Sequence, residues 1–326
     1  MKHISLIIIL VLLSIFSVIF SLGVGSISSD PSAIWVALTS NNDSTLRDIV
    51  INLRWPRTMA AFATGAALAI AGVMMQVLLR NPLADPYILG TSGGASVGAL
   101  TAMLMGLSGF AVDGIAFIGA FISTILVFSL SNIGGERSPG RLLLTGVVMA
   151  AGWGAMVSLI LSLAEDNNLR GMLFWLMGDF SFSSSYLPLF ILSLITLIIG
   201  IILAPTLNLL STGEQQASLL GANVKPVRNL LFFLSSLLTA FAVTTAGTVG
   251  FVGLIVPHLI RIASNADHRT VIPCSALAGG CLLVISDSIA RTILAPQQLP
   301  VGAITAIIGV PLFLFLLQRI SSQNIN

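Results

Sequence analysis

Charged side chains are scarce in this chain of 326 residues: Asp, Glu, Lys and Arg make up 8% of it, where an ordinary soluble domain carries roughly a quarter. Hydrophobic residues make up 56%. A water-soluble globule cannot bury that much apolar surface, because its exposed area grows too fast relative to its volume. Cysteine and histidine are scarce too, with two and three respectively, and they are too scattered to suggest a metal site. Cys274 and Cys281 lie about 10 Å apart along one predicted helix, too far for a disulfide, and read as small buried apolar residues. There is no phosphate-binding loop of the Walker type, no His-Glu-x-x-His and no Ser/His/Asp grouping, so neither catalysis nor a cofactor is implied. The net charge of +2 gives no reason to invoke nucleic acid.

What is present is a series of long apolar runs, and lipid is the solvent that suits them. Backbone groups in a bilayer must be satisfied within each span, and runs of this length fit helices better than short alternating barrel strands. The expected fold is an all-α, polytopic transmembrane bundle of about ten spans, forming a single domain over 1–326. The spans fall near 4–22, 58–79, 88–106, 114–132, 142–163, 187–205, 229–247, 249–263, 271–294 and 301–318. The first run follows Lys2 and His3 and has spanning length without a small-residue cleavage site, so it reads as a span and not as a signal peptide. The eighth is short and interrupted by Gly250, Gly253 and Pro257.

Lys and Arg set the orientation. With the N-terminus inside, Lys2, Arg80, Arg137, Arg141, Lys225, Arg228, Arg261, Arg269 and Arg319 fall on the cytoplasmic side. Arg47, Arg54, Arg57, Arg170 and Arg291 fall outside, giving nine against five. Most acids beyond the spans (Asp30, Asp43, Asp48, Asp113, Glu165, Asp166 and Asp179) also lie outside, and an even span count returns the C-terminus to the cytoplasm. The outer segment 164–186, with Trp175 and an SFSSS run, reads as containing a short interfacial helix. Gly90, Gly94 and Gly98, and likewise Gly146, Ala150 and Gly154, form small-residue stripes suited to close helix packing. The stretches 71–85 and 252–267 share a faint similarity with one gap, as internal repeats do.

Few residues could carry chemistry. Asp287 is the clearest acid within a span, and Arg291 lies one turn on; the pair reads as a local ion pair, with a proton relay or a docking role for Arg291 as alternatives. In the inner segment 206–228, Ala217, Leu219 and Leu220 form a small apolar face between Gly213-Glu214 and Gly221, which would cap a short helix. Such a helix suits a groove on a partner protein, though an ordinary surface connection is the alternative.

Five blocks in order carry a family resemblance: LRWPRTMAAFATGAALAIAGVMMQ (53–76), NPLADPYILGTSGGASVGA (81–99), G-E-x-x-A-x-x-L-G (213–221), GTVGFVGLIVPHLIR (247–261) with DHR (267–269), and LPVGAITAIIGVPLFLFLL (299–317). Together they resemble the FecCD permeases of ATP-binding-cassette (ABC) importers for ferric siderophores, haem and cobalamin, of the type II fold. The resemblance covers nearly the whole chain.

The resemblance implies a homodimer, or a heterodimer with a paralogue, with the translocation path between the two copies. It also implies two ATP-binding cassette subunits on the cytoplasmic side, a periplasmic or lipid-anchored substrate-binding protein outside, and a place in the bacterial inner membrane. Glu214, Ala217, Leu220 and Gly221 match the ATPase coupling segment. Arg54, Arg57 and Arg291 match arginines that meet glutamates of the binding protein, each contact being worth about a kcal/mol or less if exposed at the rim. Asn81, Leu83, Ser138 and Pro139 match the cytoplasmic gate, although Pro139 and Gly140 depart from the small hydroxyl residues of that loop. In the fifth span, Met149, Trp153, Met156 and Ser158 would line the path. The cargo implied first is a ferric siderophore, with cobalamin or haem as alternatives. An ion-coupled secondary transporter would need paired buried carboxylates, and a lipid-modifying enzyme a polar catalytic cluster; the sequence suggests neither.

Overall fold

The computed structural model describes residues 2–25, 45–131, 139–181, 185–264 and 266–323. Ser138, Arg137, Asp30, Asp43 and most of the SFSSS run lie outside them. The described residues form α1 (Lys2–Gly23), α2 (Trp55–Leu78), α3 (Thr91–Leu104), α4 (Phe110–Ser131), α5 (Pro139–Leu163) and α6 (Asp166–Met177), followed by α7 (Leu187–Thr212), α8 (Glu214–Leu219), α9 (Val224–Ala246), α10 (Val252–Ala263), α11 (His268–Thr292) and α12 (Val301–Gln323). A helical turn (Thr45–Asp48) and a π-helical turn (Ile49–Arg54) run straight into α2.

Among the described residues, seven helices are long and apolar enough to cross a bilayer. The other three expected spans, the third, eighth and tenth, correspond to α3, α10 and α12. Twelve-residue α10 and 14-residue α3 reach only about 18 and 21 Å at 1.5 Å per residue, short of a hydrocarbon core of about 30 Å. The apolar stretch described for α12 is Val301–Leu316.

The Ala- and Gly-rich helix α2 is the central post, buried on all sides among α7, α9, α10 and α11. Its small residues permit that approach: a Cβ on Gly65 would lie 2.1 Å from the Gly279 oxygen, and one on Gly72 would lie 1.9 Å from the Gly253 oxygen. The outer helices α1, α4 and α7 instead turn Ile, Leu and Phe outward, as lipid-facing spans do. One expected small-residue stripe packs: Gly94 and Gly98 meet the Gly119 and Ile115 carbonyls of α4. The other packs only in part. Gly146 lies against Ile88, but Gly154 has open space around it and Ala150 is exposed.

The segments before α3 and α10 are irregular yet held inside the protein. Pro86 rests on Gly253. The Tyr87 hydroxyl accepts from the Val249 amide (3.2 Å), and Gln76 Nε2 donates to the Leu254 carbonyl (3.2 Å). Non-helical backbone at this depth is tolerable only where protein surrounds and satisfies it. The two similar stretches meet here. Gly72 and Gly253 occupy matching positions, and each stretch ends in an aspartate, Asp85 or Asp267, that accepts from the amide two residues on. Matching residues touch in this way when two copies of a unit pack about a shared axis.

The chain has two distinct ends. One gathers the C-terminus of α1, the start of α2, residues 178–181, the end of α11 and the start of α12, where the Val301 amide donates to the Gly178 carbonyl. The other gathers the ends of α7 and α10, all of α8 and the start of α11. Thus α1 runs toward the first end and α12 away from it, as an even span number requires.

Candidate functional sites at the two ends of the bundle

The outer end is built around Asp287, which is 1% exposed. Arg57 grips it from α2: Nη2 and Nε lie 2.8 and 3.1 Å from Oδ1, and Nε lies 3.2 Å from Oδ2. Arg291, one turn along α11, places Nε 3.0 Å from Oδ2 and donates from Nη2 to Ser21 Oγ (2.9 Å). Arg57 Nη1 also donates to Ser181 Oγ (3.0 Å) and Gln298 Oε1 (2.9 Å), and Asp179 stands 3.7 Å from Nη2. Arg54 Nη1 donates to the Leu22 carbonyl (2.7 Å). The three arginines share a cavity of about 560 Å³ with Asn52, Ser181 and Gln298. Among the described residues, three guanidinium groups meet two carboxylates there, an excess of positive charge.

The expected local ion pair between Asp287 and Arg291 is present, but Arg57 makes it a triad. The arginines are also not rim residues. Arg54 and Arg291 are 6% and 9% exposed, so an acidic partner group would have to enter the cavity to reach them. Ser21, Asp179, Ser181 and Gln298 come from elements remote in sequence, and no spacing signal could have joined them to the arginines.

At the opposite end, Gly213 (φ +134°) breaks the chain out of α7 and α8 begins at once. Gly221 (φ +84°) ends it: the Ala222 amide returns to the Ala217 carbonyl at 2.9 Å and the Gly221 amide to that of Ser218 at 3.0 Å. This is the cap expected from the glycine. Ala217 is fully buried in the same hydrophobic cluster as Leu207 and Leu210, whereas Leu219 and Leu220 are 88% and 67% exposed. Glu214 is tied inward, 3.1 Å from Arg228 Nη1 at the start of α9. The helix therefore displays two leucines beside the uncharged polar Gln215, Gln216 and Ser218.

Of the candidate gate residues, exposed Asn81 folds its side chain onto its own turn, accepting from the Leu83 amide (2.9 Å), and Leu83 is half-buried. Pro139 starts α5. Of the candidate path residues, Trp153 turns into the packing, donating to Ser123 Oγ (2.7 Å) beside Gly93, and Met149 lies against Gly90. Met156 and Ser158 are both exposed on α5. Outside the spans, Asp267 has its carboxyl held below the usual carboxylate range, first by the Asn208 amide and then by the Arg269 backbone N–H. Cys274 and Cys281 are free and buried. Among the described residues, no three His, Cys, Asp or Glu side chains group as metal ligands.

Helices of spanning length, a charged cavity at one end and a short helix with two exposed leucines at the other define a multi-pass membrane permease. A profile of the FecCD transport family matches residues 11–319, and the chain belongs to that family. It is 40% identical over 325 residues to the hemin transport system permease protein HmuU of Yersinia pestis, covering 96% of each chain. It is 37% identical over 274 residues to the vitamin B12 import system permease protein BtuC of Salmonella paratyphi A, covering 83% of each. Among solved structures it matches an inward-facing metal-chelate type ABC transporter with a TM-score of 0.83 and 32% identity, covering 97% of this chain and 99% of that one. The protein is the permease subunit of an ABC importer of the inner membrane, a transport subunit and not an enzyme.

Proposed function

We propose that this permease imports a bulky iron chelate, a ferric siderophore or haem, using ATP hydrolysed by two cassette subunits that bind at α8. The observation that carries the coupling role is α8 itself, a capped helix whose Leu219 and Leu220 are exposed while Ala217 anchors it to the bundle. The cargo class rests on the family resemblance. Full-length similarity to a hemin permease favours haem over cobalamin as the alternative to a siderophore. In this reading two copies pair, with the path between them. Arg54, Arg57 and Arg291 receive acidic groups of a substrate-binding protein in their cavity, and Asn81, Leu83, Ser138 and Pro139 belong to the inner gate.

The test is uptake into proteoliposomes holding the permease with its cognate ATPase and binding protein, against ferric siderophores, haemin and cobalamin. The expected result is ATP-dependent uptake of one iron chelate that survives uncouplers once ATP is held constant. Uptake of cobalamin alone would overturn the cargo. Loss of uptake under uncouplers at constant ATP would overturn the energy source.

A further inference from the structure

A half-buried polar node, centred on a buried histidine, is built from the residues that lead into the displayed helix and from the α10–α11 joint. Asn208 sits on the last turns of α7, just before Gly213 and α8. Its Oδ1 accepts from the His268 backbone N–H (3.0 Å) and lies 2.5 Å from His268 Nδ1, while its Nδ2 donates to Asp267 Oδ1 (2.9 Å). On the far side of the imidazole, Nε2 lies 3.3 Å from Arg261 Nη2, at the end of α10. His268 is 1% exposed.

One hydrogen-bond assignment gives Asn208, His268 and Asp267 their partners, while among the described residues the buried Arg261 Nε has none. Asn208 must turn its oxygen to the two His268 donors and its amide to the carboxylate; the flipped amide would set N–H against N–H. His268 is then neutral with its proton on Nδ1, and Nε2 accepts from Arg261. One side chain at the root of α8 thereby clasps the joint between α10 and α11. The opposite end of α10 bears on the 81–90 segment, where Pro86 rests against Gly253. Pro205, three residues before Asn208, removes a main-chain hydrogen bond from α7, so the helix bends most easily just ahead of the node. Each bond of the node ties α7 to the start of α11 or the start of α11 to the end of α10, so a displaced α8 would take the α10–α11 joint with it.

We propose that Asn208 and His268 are positioning residues that carry displacement of the coupling helix into α10 and on to the 81–90 segment. The proposal rests on the coupling role of α8, and the experiment separates the two. Hydrogen exchange would be followed by mass spectrometry on the assembled complex with its ATPase subunits, with and without ATP and vanadate. In the wild type, trapping should change exchange in both 214–221 and 252–263. In Asn208→Leu, and separately in His268→Leu, the response of 214–221 should persist while that of 252–263 falls about fivefold or more. His268→Asn, whose amide can donate in place of Nδ1, should keep it. A purely structural role would raise exchange in 252–263 equally in both nucleotide states and preserve the difference between them. Persistence of that difference in either folded Leu variant overturns the relay, as does its loss in His268→Asn. Absence of any response in 214–221 of the wild type overturns the coupling reading, and the relay with it.

Discussion

Asp287 is a carboxylate with two guanidinium groups and almost no water. A buried charge is tolerated only while its partners hold it, and removing one member strands the others at a cost on the order of 3–5 kcal/mol. Asp287→Asn is therefore expected to lower thermal stability in detergent by about that amount, because a neutral amide would no longer offset the repulsion between Arg57 and Arg291. Replacing all three residues with leucine should recover most of the loss, because no charge is left unpaired. A thermal melt of the two variants side by side checks both statements. The spacing of Asp287 and Arg291 was legible in the sequence because four residues make one helical turn. Arg57 was not, because its partnership spans 230 positions and arises only when α2 packs on α11. The burial of Arg54 and Arg291 was hidden for the same reason: a charge assigned to the outer side gives no sign that neighbouring helices close over it.

Among the elements, α8 was readable from its two flanking glycines and its short apolar face, since each cap has a local cause. Leu219 and Leu220 touch little within the chain, so Leu219→Asp with Leu220→Asp should leave the melting temperature unchanged within about 1 °C. The same change should abolish co-purification of the ATPase; retained co-purification would remove α8 from the interface. The long spans were readable because lipid demands a run of matching length. Helix α10 was read as a short, interrupted span, but the shortness of α3 was missed because hydropathy sees an apolar stretch and not the depth at which it starts. The irregular segments that set those depths depend on Pro86 meeting Gly253 and Tyr87 meeting Val249, and no window along the chain contains those contacts.

For the whole molecule, the arginines that broke the positive-inside trend all belong to one end, and three of them share one cavity. A positive cavity attracts an acidic partner over several ångströms, and salt weakens that attraction. Reversing Arg54, Arg57 and Arg291 to Glu should weaken binding of the substrate-binding protein about tenfold or more at low salt, with a smaller difference at high salt. Unchanged affinity at low salt, measured with a permease shown to be folded, would deny the cavity that role. The short helices α3 and α10 bear on another stage of the protein's life. Neither is long enough to leave the translocon alone and cross the bilayer, and the irregular segment preceding each would then show lipid unsatisfied backbone groups. Each must therefore enter the membrane together with a helix already or soon to be there, α3 against α4 and α5, and α10 against α2 and α11. The order of synthesis then matters: a nascent chain halted just after α10 would hold a half-span with no companion from α11, and quality control would recognise it as unfinished.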